Sequence, residues 1–67
     1  MSKPRMAKVI KALREQRELS QPELAKRAQV AQSYIAMLET GEKQNPSLDI
    51  LKRLAKALKV PVADLLG

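Results

Sequence analysis

Met6, Val9, Ile10 and Leu13 recur at i, i+3, i+4 and i+7, the apolar stripe of an amphipathic helix. This spacing predicts helix one over about Arg5 to Arg17, behind a polar lead that ends at Pro4. Ser20 stands three residues before Glu23, the S-x-x-E pattern of a capping box, with Pro22 tolerated in the first turn. Helix two is expected over Gln21–Ala28, with Leu24, Ala25 and Ala28 on one side. After a short connection, helix three runs from Gln32 to Thr40 and stops at Gly41, which takes positive φ without steric cost. The stretch EKQNP reads as a loop. Ser47 is the expected N-cap of helix four, and Asp49 suits its first turn. Leu51, Leu54, Ala55 and Leu58 repeat the helical stripe through about Ala57, and a last short helix is expected from Pro61 to Leu66. No stretch alternates with a period of two, and no internal repeat or low-complexity segment stands out. The expected fold is all-α, a compact five-helix bundle with an aliphatic core, in one domain over residues 1–67.

Size and charge narrow the functions open to such a bundle. A domain of 67 residues buries only ~60% of its unfolded surface, so a partner subunit would help it. Thirteen Lys and Arg against seven Asp and Glu leave a net charge of +6 and a pI near 10.1. That balance points to a polyanion, either nucleic acid or an anionic membrane surface. No apolar run approaches membrane-spanning length, and the opening MSKPRMAK lacks the apolar core of a signal peptide. A soluble, untargeted, cytoplasmic protein associated with the nucleoid is expected.

Catalysis finds no footing. The chain has neither Cys nor His, so Ser20, Ser33 and Ser47 have no imidazole to activate them, and thiolate or imidazole metal ligands are missing. There is no Gly-rich phosphate loop, and the seven acids are scattered. The expectation is a non-enzyme without metal, cofactor or small-molecule ligand.

Helices two and three, joined only by Gln29, Val30 and Ala31, must turn sharply, which makes residues 20–40 a helix-turn-helix arrangement. At about 100° per residue, Ile35 and Leu38 face inward. Ser33, Ala36, Met37 and Thr40 face outward, with Gln32 and Tyr34 at opposite edges. This outward face is uncharged, whereas a merely solvated face tends to carry Lys and Glu. In a major groove, amides bond base edges and apolar groups meet thymine methyls, so Gln32, Ser33, Ala36 and Met37 are the candidate base readers. A short polar helix in any helical hairpin would share some of this pattern. Tyr34, the single aromatic residue, is too little for a stacking platform, which argues against single-stranded nucleic acid. It either touches backbone phosphate or covers the core. Lys43, Gln44 and Asn45, just after the reading helix, are expected at phosphates, as is Gln21 at the start of helix two. The basic residues of helix one (Lys3, Arg5, Lys8, Lys11) and helix four (Lys52, Arg53, Lys56, Lys59) read largely as a solvated face.

The segments LSQPELAKRAQVAQSYIAMLETG and NPSLDILKRLAKALKVPVADLL resemble the helix-turn-helix family of phage Cro and repressor proteins, the Xre type. The matching elements are Leu19-Ser20-Gln21, Leu24-Ala25, Val30, Ile35, Leu38-Glu39, Gly41, Asn45-Pro46-Ser47-Leu48, Leu54-Ala55 and Ala57-Leu58. The likeness covers about Met6 to Leu66. It implies a five-helix fold that binds specific double-stranded DNA, usually as a dimer, with helix three as the recognition element. It also implies a partly buried, bidentate bridge between Arg14 of helix one and Glu39 of helix three. Three positions depart from the family pattern. Gln29 and Lys59 stand where glycine is usual, and Ala31 replaces the usual Ser or Thr N-cap of helix three. Gln29 or Lys59 would cost ~1 kcal/mol where its φ is positive, and Ala31 loses a side-chain acceptor worth ~1 kcal/mol.

The expected function is sequence-specific regulation of transcription by a homodimer on a pseudo-palindromic site. Ile50, Leu65 and Leu66 are expected at its two-fold interface, near the ends of helices four and five. The alternative is a protein-interaction module of the same fold, such as an antitoxin or coactivator.

Overall fold

The computed structural model describes residues 5–66, so the expectations on Lys3, Pro4 and Gly67 lie outside it. Five helices follow in order: α1 (Arg5–Gln16), α2 (Gln21–Ala28), α3 (Gln32–Thr40), α4 (Leu48–Leu58) and α5 (Val62–Leu65). No strand occurs among the described residues. α2 packs against both α3 and α4, α1 against α3 and α5, and α4 against α5. No helix among the described residues is long and apolar enough to cross a membrane.

The helix starts follow from side-chain caps. The Ser20 hydroxyl accepts from the Glu23 backbone N–H at 3.1 Å, and the Glu23 carboxylate accepts from the Ser20 N–H at 2.8 Å. This reciprocal pair satisfies two donors that the helix leaves without partners. Ser47 caps α4 in the same sense, its hydroxyl accepting from the Ile50 N–H at 3.2 Å. Ala31 and Pro61, the N-caps of α3 and α5, offer no side-chain acceptor. Pro61 thus stands just ahead of α5 rather than in its first turn, and its fixed φ suits that place.

The helix ends depend on left-handed residues. Glu18, Gln29 and Lys59 take φ of 58°, 61° and 61°, and Gly41 takes 87°. At each of the first three, the following residue donates back five positions, Leu19 to Arg14, Val30 to Ala25 and Val60 to Ala55, all at 3.0 Å. This is the Schellman pattern, which satisfies the last carbonyls and turns the chain. Glycine would adopt these conformations without penalty, whereas a Cβ costs ~1 kcal/mol or more.

The core is aliphatic throughout. Ile10, Leu24, Ile35, Leu54, Leu58 and Leu65 are fully buried, joined by Leu19, Leu38, Leu51 and the alanines of α2 and α4. Ala25 and Ala28 of α2 and Ala55 of α4 are buried small residues, and these two helices pack against each other. Each buried leucine contributes ~1.5–3 kcal/mol of transfer energy, and Leu54→Ala would cost ~2–5 kcal/mol. One expectation is corrected here. Leu65 is not available to a partner, because α5 packs on α1 and α4 and seats that side chain in the core at 0% exposure. Leu66 stays 58% exposed, Ile50 is half-buried against the core, and Leu48, not singled out from sequence, is 60% exposed.

Candidate nucleic-acid interface

α3 is held by a polar network that starts in α1. Arg14 Nε donates to Glu39 Oε2 at 2.7 Å, and its Nη2 donates to Oε1 at 3.1 Å, a bidentate fork on one carboxylate. Arg14 Nη1 donates to the Leu19 carbonyl at 2.7 Å, and Gln21 Nε2 donates to Glu39 Oε1 at 3.0 Å. One side-chain set therefore ties α1, the α1–α2 turn, the start of α2 and the end of α3. The Arg14 and Glu39 side chains are only 12% and 3% exposed, so solvent screens this pair weakly. Hydrogen bonding to Glu39 holds the Arg14 guanidinium above its ordinary pKa, with burial opposing.

The opposite side of α3 is the expected reading face. Gln32 and Ser33 in its first turn are exposed, as is Thr40 at its end. Ala36 and Met37 are partly covered, so the centre of the face is flatter than its two ends. Ile35 and Leu38 are buried, as the helical angles require. The bond from Gln21 to Glu39 leaves its other amide atom, the acceptor oxygen, unused by that contact. Its amide is thus a bracing group whatever else it touches.

The loop after α3 is built by its own hydrogen bonds. Gly41 N–H donates to Leu38 O, Lys43 N–H reaches back to Met37 O at 3.0 Å, and Thr40 Oγ1 donates to the same carbonyl at 3.1 Å. Glu42 N–H donates to Thr40 Oγ1, and Gln44 Nε2 to Gly41 O. Gln44 thereby commits one amide N–H to the loop, and Lys43, Gln44 and Asn45 are all exposed. The Lys43 ammonium sits 5.8 Å from the centre of the half-buried Tyr34 ring. Tyr34 thus packs against the core with one part and holds a cation with another.

Two contacts escaped the sequence reading. Arg17 Nε donates to the Leu58 carbonyl at 2.8 Å, joining the end of α1 to the end of α4. Arg53 donates to the Gln29 carbonyl at 3.3 Å while pairing with Asp49 one turn back on α4. Only the i,i+4 spacing of Asp49 and Arg53 was visible in the sequence, and the remote carbonyls carry no signal there.

The chain is similar to several known proteins. A helix-turn-helix family model matches residues 10–65. The immunity repressor protein of Bacillus phage phi105 is 41% identical over 58 residues, 87% of this chain and 40% of that protein. The chain therefore spans well under two thirds of that relative's length. Among solved structures, SinR, a master regulator for biofilm formation crystallised in complex with DNA, superposes with a TM-score of 0.89 at 35% identity, over 92% of this chain and 98% of that one. The restriction-modification controller protein C.AhdI from Aeromonas hydrophila gives 0.88 at 31% identity, over 92% of both chains.

Proposed function

The chain belongs to the phage Cro/repressor-like (Xre-type) helix-turn-helix family, and from this premise we propose that it is a sequence-specific, double-stranded-DNA-binding regulator of transcription. It works by binding and not by catalysis. The observation that carries the reading is the exposed, uncharged first turn of α3, Gln32 and Ser33, on a helix whose inner side is clamped by Arg14, Gln21 and Glu39. Rigid support matters because base edges are discriminated by bonds whose geometry tolerates little error. Gln32 pairs bidentately with adenine, and Ala36 and Met37 offer apolar contact to thymine methyls. Gln21, Tyr34, Lys43, Gln44 and Asn45 flank this face and hold the phosphate backbone. The solved relative described as a DNA complex supports this reading.

The same proposal includes a homodimer, acting in the cytoplasm on the nucleoid, with Leu66 and Ile50 at the two-fold contact. Its two α3 helices reach major grooves about 34 Å apart on a pseudo-palindromic site.

The test separates reading from holding. Sites are first selected from a random duplex library, and A·T pairs are expected opposite α3. Gln32→Ala then costs ~1–3 kcal/mol on the selected site and little on random duplex. Lys43→Ala weakens both alike and makes the logarithmic salt slope shallower by about one. If Gln32→Ala lowered both affinities equally, α3 would not be the reader. A failure to select any duplex would favour the protein-interaction alternative.

A further inference from the structure

We propose that the notch between the ends of α2 and α4 is a second anion site, taking a compact polyphosphate rather than DNA. The notch has a volume of about 380 Å³, and Arg27, Arg53, Lys56 and Lys59 line it together with Gln29 and two alanines. Four of its lining side chains are cations and none is an acid. Among the described residues, the one salt bridge to any of them comes from Asp49, which bonds Arg53 from one turn back at 2.9 Å. None of the lining residues belongs to α3 or to the loop that follows it.

Cations near helix C-termini ordinarily serve the exposed carbonyls there. In this molecule the Ala25, Lys26, Ala55 and Lys56 carbonyls already have other donors. Gln29 and Val30 N–H groups reach Lys26 and Ala25, and Lys59 and Val60 N–H groups reach Lys56 and Ala55. The Gln29 carbonyl takes Arg53, and the Leu58 carbonyl takes Arg17. The side chains of Arg27, Lys56 and Lys59 make no hydrogen bond or ion pair among the described residues, although the Arg27 charge acts on Glu23 one turn back on α2. Their charge is therefore not spent on these carbonyls.

The backbone points the same way. Gln29 and Lys59 hold left-handed conformations that glycine would adopt freely, and both side chains line this one notch. A side chain kept at such a position against its steric cost suggests a use for that side chain. Arginine forks and lysine point charges together suit clustered phosphate oxygens. The volume falls in the range of small-molecule sites, ~300–1,000 Å³. The alanine floor provides no pocket for the side chains of a peptide, which favours a small, highly charged ligand.

The experiment is a titration of the isotopically labelled chain with tripolyphosphate, orthophosphate and sulfate at constant ionic strength, followed by backbone amide shifts. Shifts confined to residues 28–30 and 57–60, with tripolyphosphate about tenfold tighter than sulfate, are expected. The Lys56→Gln/Lys59→Gln double variant keeps the backbone demand of a side chain at 59, so its melting temperature stays put. It should bind tripolyphosphate about tenfold more weakly. Shifts spread over all basic residues, or equal binding by the variant, would overturn the site. A random-sequence duplex is the last arm. If it displaces tripolyphosphate and the double variant loses duplex affinity, the notch is a path for DNA backbone and the small-ligand reading is wrong. Neither result bears on Gln32, so this test and that of the reading helix fail separately.

Discussion

Two of the three left-handed Schellman turns match in sequence as well as in geometry, thirty residues apart, and serve different ends. Leu24-Ala25-Lys26 and Leu54-Ala55-Lys56 each lead into a left-handed residue, Gln29 or Lys59, with φ of 61° and ψ of 46° or 43°. A valine follows in both, then an extended residue without a side-chain cap, Ala31 or Pro61. The helices that lead in, α2 and α4, are both capped by serine. What differs is the helix that leads out. α3 runs nine residues and keeps Gln32 and Ser33 exposed, whereas α5 runs four and ends with Leu65 in the core.

The two outgoing helices are also fastened by different physics. α3 is clamped through Glu39 by directional, charge-assisted hydrogen bonds, while α5 is anchored by an apolar side chain. A directional clamp fixes rotation and translation of a helix; hydrophobic burial mainly fixes which side faces in. A helix that must present amides to base edges needs the first kind of constraint. Backbone turn geometry alone thus says little about function, and the fastening of the second helix says more.

The largest effect expected is on the polar clamp. Arg14→Ala or Glu39→Ala strands the surviving charge in a nearly dry site and should cost ~3–5 kcal/mol in urea unfolding. The Arg14→Met/Glu39→Leu pair should recover much of that stability, because it removes both charges and refills the volume. If the clamp serves orientation, the recovered double variant still discriminates poorly between selected and random duplex. Full discrimination in that variant would erase the distinction between the two fastenings.

The apolar anchor comes next. Leu65→Ala leaves a cavity under α5 and should cost ~2–5 kcal/mol, while Leu66→Ala stays within about 0.5 kcal/mol for the monomer. In sedimentation, Leu66→Ala shifts the chain towards monomer, and wild-type behaviour would remove Leu66 from the interface. Base discrimination per bound molecule should survive Leu65→Ala whenever the protein is folded.

Much of this architecture was legible from local pattern. The stripes Met6–Leu13 and Leu51–Leu58, the Ser20–Glu23 box and Gly41 set four helices to within a residue or two, because periodicity and caps are short-range signals. The burial of Leu65 was not legible. Two adjacent leucines at the end of a short helix look alike until α1 is known to pack against it. The Arg14–Glu39 pair came from family likeness, and the Gln21 arm of the network came from neither source. Gln21 lies 18 residues from Glu39, and only the α2–α3 turn brings them together. The left-handed turns at Gln29 and Lys59 were legible only through the family likeness, as places where glycine is usual, because a half-buried valine after a polar residue carries no such signal by itself.

The twin turns can be compared directly. Gln29→Gly and Lys59→Gly each relieve a left-handed residue, and the greater flexibility of glycine in the unfolded chain offsets part of the gain. A net stabilisation of about 0.5–1 kcal/mol per site is expected, and because both side chains line one notch the double variant measures any coupling between them. Unequal gains in denaturant unfolding would show that one turn is more strained than its twin, despite near-identical dihedral angles.

The smallest effect separates the two incoming helices at their starts. α2 begins with the reciprocal Ser20–Glu23 box, but α4 has Ile50 at the matching position and cannot return the bond. The Ser20 backbone N–H, and then its hydroxyl, hold the Glu23 carboxyl below its ordinary value near 4.5. A carboxyl whose folded pKa is depressed adds stability above its unfolded pKa and loses it as pH falls through the folded one. Stability tied to this box should therefore decline below about pH 4.5, and Glu23→Gln should remove that component, because its amide does not titrate. Amide exchange at acid pH reads the asymmetry directly. Protection in the first turn of α2 falls with pH in the wild type and not in Glu23→Gln, while the first turn of α4 behaves alike in both. An unchanged pH profile at α2 in the variant would mean that Ser20 alone caps α2 as Ser47 caps α4, and that Glu23 adds nothing to distinguish them.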